Sequence, residues 1–269
     1  MRKRSFWGIG MLGLTITLSA ISWNHVNSKT RPQTIKKATP VTQVVEKESA
    51  LEAFDHYLTD IYAAADLATT NLDFAVFKKA VTGYYNFQSG KLAASDKQII
   101  TIVDLAKAST SKRMWVIDLA ARKVLFNTYA AHGQGSGDNI ATNFSNDANS
   151  HQSSLGFYIT SDIYFGKHGR SMKLNGMDEG FNSNARARAV VVHGADYVSE
   201  SWIKTHGRLG RSHGCPAVPR ELSDAIINTI KGETVLYING GNNYTSRFLD
   251  ENLAANSVQN STPTTLATL

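Results

Sequence analysis

The feature that most constrains this chain is a change of hydrophobic period near Ile99. Before it, apolar residues recur at helical spacing. Leu51, Phe54, Leu58, Ile61 and Ala65 follow the capping-box pattern Ser49-Ala50-Leu51-Glu52, and Phe74, Phe77, Val81 and Tyr84 or Tyr85 mark a second helix after Asn71. After it come short β-rich runs at 99–103, 114–119, 124–129, 155–160, 189–193 and 234–238, separated by turn residues. One more helix is expected over 219–231, with Leu222, Ala225, Ile226 and Ile230 inward, Pro219 in its first turn and Gly232 as its stop. The pattern predicts a mainly β domain with peripheral helices and a helical extension in front of it. The interval 133–153 is dominated by Gly, Asn, Ser and Asp. It is too long for a hairpin turn and too polar for a core, which suits a substrate-shaping loop.

Residues 1–28 open with Met1-Arg2-Lys3-Arg4 and continue through an uncharged, mostly apolar stretch from Ser5 to Trp23, the n-region and h-region of an export signal. The stretch is long for a cleaved signal and close to the lower limit for a membrane span. Leu18-Ser19-Ala20 and Val26-Asn27-Ser28 are the candidate cleavage points, so signal peptide and signal anchor both stand. Export to the periplasm or cell envelope follows, with membrane contact expected only through this segment. Residues 29–48, rich in Thr, Lys and Gln with Pro32 and Pro40, read as a tether. The expected organisation is leader 1–28, tether 29–48, helical extension 49–94, β-rich domain 95–240 and a polar C-terminal tail 241–269.

The chain carries a net charge of +6, from 28 basic and 22 acidic residues. Leader and tether hold that excess, because from Ser49 onward 20 basic residues face 20 acidic ones. A nucleic-acid binder concentrates positive charge on its folded surface, so nucleic acid is not expected as a partner.

Cys215 is the only cysteine, which excludes an intramolecular disulfide and any CxxC metal or redox motif. A lone cysteine is ordinarily a small apolar side chain, but this one stands in Arg211-Ser212-His213-Gly214-Cys215-Pro216, between a Gly that permits close backbone approach and a Pro that forces an extended conformation. Upstream, Val190-Val191-Val192-His193-Gly194 places an imidazole where a buried strand meets a glycine. A thiol of ordinary pKa is only a few per cent ionised at neutral pH, so Cys215 needs a partner to take its proton, and His193 is the candidate. Pro216 disfavours a helix starting at Cys215, which leaves the activation to histidine. The backbone amides of Gly214 and Cys215 are the candidate donors to an oxyanion.

These motifs together resemble the L,D-transpeptidases with a YkuD-type catalytic domain. His132-Gly133-Gln134-Gly135-Ser136-Gly137, Ser153-Ser154-Leu155-Gly156 and Cys215-Pro216-Ala217-Val218 are similar to the branch described as the murein L,D-transpeptidase catalytic-domain family. The resemblance covers about residues 95–240. It implies a β-sandwich or barrel-like catalytic domain that needs no cofactor. Cys215 would attack a meso-diaminopimelate carbonyl in a peptidoglycan stem peptide and expel D-alanine, with His193 as base. It implies supporting roles for Gly194, Ser212, His213 and Arg211. Two departures stand out: eighteen residues separate His193 from Ser212, and Pro216-Ala217 replaces the usual branched residue and Arg or Asn after the cysteine. Arg211 and Arg220 are the candidates to replace the lost side chain.

Simpler readings are preferred at several other positions. His213 is expected as a structural ring hydrogen-bonded within its loop, and His132, His151, His168 and His206 as polar loop residues. A zinc site from His193, His206, His213 and Cys215 has suitable ligand types but no recognised ligand spacing. Tyr57, Tyr84 and Tyr85 read as core or rim aromatics, Tyr158 and Tyr164 as candidates to line a groove, and Arg186 and Arg188 as a solvated strand face. The competing functions are an L,D-carboxypeptidase on the same substrate and a wall-binding module without turnover.

Overall fold

The computed structural model describes residues 48–94, 96–241 and 243–261. The export segment 1–28 and the tether, except its last residue, lie outside the described residues. In chain order the elements are α1 (Ala50–Ala64), α2 (Phe74–Ser89), β1 (Ile99–Asp104), β2 (Met114–Asp118), β3 (Lys123–Thr128), β4 (Gly156–Gly166), β5 (Gly169–Gly176), β6 (Val191–Ala195), α3 (Glu200–His206), β7 (Ala217–Pro219), α4 (Arg220–Ile230), β8 (Val235–Asn239) and α5 (Glu251–Ser261). Both early helices start as their sequences dictate. Ser49 and Glu52 form the reciprocal capping box of α1, and the Asp73 carboxylate accepts from Ala75 N–H at the start of α2.

All eight strands belong to one mixed sheet in the order β3-β2-β1-β8-β4-β5-β6-β7, parallel at β1–β8 and β6–β7 and antiparallel elsewhere. Helices cover both of its faces. Ile100, Ile102, Trp115, Ile117, Phe157, Val235 and Tyr237 pack with α1, α2 and α5. Their neighbours Val103, Met114, Val116, Tyr158, Leu236 and Ile238 turn the other way, toward Ile226, Ile227 and Ile230 of α4. A sheet covered on both sides needs apolar residues at successive positions, which is why its strands read as continuous β-rich runs. This is the expected sheet-based fold with flanking helices.

Several details differ from expectation. β5 was not expected, although Met172 and Leu174 alternate with Ser171 and Lys173 and only Lys167 and His168 separate it from β4, because its ends are glycines and its other residues are polar. β7 has only three residues and exists through its pairing with β6. The expected extension 49–94 is not a separate body, since its side chains share one core with the sheet. The segment expected as a polar tail from 241 instead forms a 3-10 turn at Arg247–Leu249 and helix α5. Phe248 stacks on Phe87 at 4.0 Å, Ala254 and Ala255 are buried, and the Asn86 amide donates to the carbonyls of Phe248 and Asp250. Tyr244, Leu249 and Val258 also pack against that core, but these anchors are spaced too thinly to show a periodic pattern in a polar stretch. No helix of the described residues is long and apolar enough to cross a membrane.

Candidate active site

The last two strands of the sheet position the candidate pair. His193 of β6 is 2% exposed and is held on both sides, opposite Ser171 of β5 and Ala217 of β7. Cys215 precedes β7 by two residues, and its sulfur accepts from Val191 N–H at 3.5 Å. Val191 and His193 lie on the same side of β6, about 6.6 Å apart by the rise of a strand. The thiol is therefore tied to the β6 backbone two residues before the imidazole. Both line one cavity of about 480 Å³ with Tyr164, Lys167, His168, Arg188, Tyr197, Arg211 and His213.

The loop carrying the thiol is tied down by its own hydroxyl. Ser212 Oγ donates to Cys215 O at 2.7 Å and accepts from Gly214 N–H at 3.0 Å, while the Ser212 amide donates to His132 O and its carbonyl accepts from Gln134 N–H. Gly214 sits at φ 121°, and a Cβ there would meet Gln152 O at 2.7 Å, so conformation and space both require glycine. The Gly214 amide is thus already engaged by Ser212, which corrects its expected part in an oxyanion hole. Cys215 N–H has no hydrogen-bond partner among the described residues. Gly194 serves packing rather than the cavity: a Cβ there would lie 2.6 Å from Ser223 Oγ and 3.1 Å from the Arg220 Cα of α4.

The electrostatics of the pair differ from an ion pair. Burial pushes the Cys215 thiol above its ordinary pKa, opposed by the Val191 N–H and the nearby Arg188 and Lys167 charges. Burial likewise holds the His193 imidazole below its ordinary value. Both shifts favour the uncharged forms, so the resting state is thiol and neutral imidazole. The thiol donates to Ala189 O at 3.7 Å, and Ala189 holds φ 54°, a left-handed conformation costing about 1 kcal/mol for a residue with a Cβ. His193 Nδ1 lies 3.1 Å from Gly194 O. In the neutral ring that carbonyl fixes the proton on Nδ1 and leaves Nε2 with its lone pair free, the form a base requires.

Other expected residues fall in varied places. Arg211 lines the cavity, donates to Gly137 O and pairs with Asp138, whereas Arg220 is paired with Asp196 and is not among the lining residues. The His213 ring has no hydrogen bond among the described residues. It stacks on His151 at 4.2 Å instead of bonding within its loop. His168 lies over His193, ring centroids 4.4 Å apart, and is no simple loop residue. His132 is buried against Arg113, whose Nη2 donates to its Nδ1 at 2.7 Å. Tyr158 is buried and donates to Ser154 O, so of the two groove tyrosines only Tyr164 reaches the cavity. His206 stacks on Trp202, outside that cavity. Among the described residues no three His, Cys, Asp or Glu side chains are grouped to hold a metal.

Arg188 is the main residue that motif reading missed. Expected on a solvated strand face, it donates through Nη1 to Ser145 O and Ser154 Oγ, and through Nη2 to Ser150 Oγ and Gln152 O. It fastens the 145–154 segment beside the thiol. Ser153 adds a second tie, with its hydroxyl accepting from Gly133 N–H and donating to Gly214 O. Lys167, Arg188 and Arg211 line the cavity and no carboxylate does. Nothing in a lone Arg or Ser signals such roles before the chain is folded.

A sheet-edge cavity that combines a lone thiol, a neutral imidazole and a serine-pinned Ser-His-Gly-Cys loop defines a class of candidate cysteine site. The chain belongs to the L,D-transpeptidase catalytic domain family, whose pattern matches residues 68–239 and so takes in α2 as well as the sheet. Among solved structures, it is similar to an L,D-transpeptidase from Stackebrandtia nassauensis, 16% identical over 62% of this chain and 67% of that one, TM-score 0.33. It is also similar to the helical cell shape determining protein Pgp2 from Campylobacter jejuni, 11% identical over 67% of this chain and 63% of that one, TM-score 0.37. A third is L,D-transpeptidase 3 from Mycobacterium tuberculosis, 11% identical over 54% and 62%, TM-score 0.33. The chain spans 59% of the length of two further solved structures, the LD transpeptidase LdtMt1 in complex with imipenem and an L,D-transpeptidase from Mycobacterium smegmatis. No curated protein sequence matches this chain. Membership of the family rests on the match over 68–239.

Proposed function

We propose that this chain is an exported, cysteine-dependent L,D-transpeptidase acting on peptidoglycan stem peptides. The observation that carries the reading is the shared cavity: the only thiol of the chain and a neutral imidazole with a free Nε2, among three cations and no carboxylate. A stem peptide is rich in carboxylates, and Lys167 and Arg211 are placed to receive them.

In the first half-reaction His193 Nε2 takes the Sγ proton as the sulfur bonds to the diaminopimelate carbonyl carbon. The Cys215 N–H faces the charge that develops on the carbonyl oxygen. The carbon–nitrogen bond then breaks, and D-alanine leaves with the proton returned from His193, leaving a thioester. In the second half-reaction an acceptor amine attacks the thioester carbon and gives a proton to His193. The carbon–sulfur bond breaks, and the proton returns to Cys215. Water in place of the amine turns the same steps into L,D-carboxypeptidase activity.

The test is to incubate the soluble protein with purified muropeptides and weigh the products. Loss of one D-alanine with formation of cross-linked species is expected, and Cys215→Ala abolishes both while the protein stays folded. Loss of D-alanine without cross-links assigns the carboxypeptidase branch. Binding without any release would mean a wall-binding module, and full turnover by Cys215→Ala would overturn the thiol mechanism.

A further inference from the structure

We infer that the protein has a second substrate-binding cavity, sharing a wall with the thiol cavity, that takes an uncharged N-acetylated saccharide. The inference rests on the proposed function for the identity of the substrate to which that saccharide is joined.

The second cavity, of about 510 Å³, lies within the usual range of ligand sites. Its lining contains no Lys, Arg, His, Asp or Glu. The polar groups are amides and hydroxyls, from Thr142, Asn143, Ser145, Gln152 and Asn243, interleaved with the half-buried rings of Phe144 and Phe181. An ionic ligand would find no counter-charge here. A purely apolar ligand would strip water from these amides without replacing its hydrogen bonds, which is unfavourable for every group so buried. The side-chain amides of Gln152 and Asn243 have no hydrogen-bond partner among the described residues. Amides both donate and accept, as sugar hydroxyls and N-acetyl groups do, and an aromatic ring complements the C–H face of a pyranose.

The position of the cavity links it to the chemistry. The carbonyls of Ser145 and Gln152 accept from Arg188 of the thiol cavity, and Gly214 packs against the Gln152 carbonyl, while both residues also line the second cavity. One segment therefore divides a cationic cavity from a neutral one. A peptidoglycan fragment has the matching division: a carboxylate-bearing peptide joined to an uncharged N-acetylated disaccharide.

The experiment compares a free stem tetrapeptide with the same peptide attached to its disaccharide, using the intact protein. The disaccharide-linked substrate is expected to show a KM about tenfold lower at equal kcat. Phe144→Ala and the exposed Asn243→Ala are expected to remove most of that difference without moving KM for the free peptide. Equal KM values for the two substrates in the unaltered protein, or variants that change nothing, overturn the inference. Calorimetric titration with the peptide-free disaccharide gives a readout independent of turnover: weak binding that Asn243→Ala diminishes is expected. No binding at millimolar disaccharide overturns the saccharide cavity even if both peptides are processed. Saccharide binding by a protein that processes neither peptide would leave the cavity standing and sink the proposed transpeptidase instead.

Discussion

At the scale of single residues, burial decides the state of the pair. Desolvation raises the thiol and lowers the imidazole, so the sulfur becomes a nucleophile when substrate arrives and not beforehand. Alkylation of Cys215 by iodoacetamide is accordingly expected to rise with pH through a midpoint above the ordinary thiol value, about 8.5. A preformed ion pair would instead react at a pH-independent rate near neutrality, and that profile would refute the neutral state. His193→Gln is expected to lower D-alanine release by about 10²–10⁴-fold while resting alkylation near pH 7 changes little, because base catalysis is lost and no thiolate was being held. Arg188→Ala should slow release by an order of magnitude or more and shift the alkylation midpoint upward, since it removes a cation near the sulfur and frees the 145–154 segment. Cys215 and His193 were legible because their neighbours in sequence form a motif. Arg188, Ser153 and His168 were not, because their partners are distant in sequence.

At the scale of elements, the site depends on short pieces that exist only through their neighbours. β7 is three residues long, yet its pairing with β6 sets the level of the thiol against the imidazole. Beneath that loop, Arg113 donates to His132 Nδ1, so the neutral ring carries its proton on Nε2, toward Gly137 O. Burial first and the Arg113 charge second push His132 down to about 4. Its folded pKa lies below the unfolded value near 6.5, so its contribution to stability is complete above about pH 6.5 and is lost as pH falls toward 4. The slope is at most about 1.4 kcal/mol per pH unit. Denaturant titrations at pH 7 and pH 4.5 should show this loss in the unaltered protein and a smaller one in His132→Gln, whose amide oxygen can still accept from Arg113. An unchanged pH dependence in that variant would assign the slope to other groups. The two N-terminal helices and α4 were readable because each carries a long apolar stripe or a cap. β5, β7, α3 and α5 were not, because glycine ends, short length or polar composition hide them.

At the scale of the whole molecule, the sheet is held between α4 on one face and α1, α2 and α5 on the other. The C-terminal segment closes the second of these layers, which gives a direct test. Ending the chain at residue 240 removes the buried side chains of Phe248, Ala254 and Ala255 and strips the Asn86 amide of both its acceptors. About 2–3 kcal/mol for the phenylalanine, roughly 0.8 kcal/mol for each alanine methyl and about 1–3 kcal/mol for the orphaned amide sum to roughly 5–8 kcal/mol. That is a large part of the stability of an ordinary domain, so the truncated protein is expected to melt well below the longer one or fail to accumulate. An unchanged melting temperature would mean that the segment is a tail after all.

The residues alone determined the change of period at Ile99, the family motif and the candidate pair, because each of these is written in neighbouring positions. Tertiary structure alone decided that the pair rests uncharged, that Gly214 has spent its amide on Ser212, that Arg188 fastens the cavity and that a neutral cavity adjoins it. Those properties come from desolvation and from contacts between residues far apart in the chain, and they arise only when folding brings such groups together and excludes water from around them.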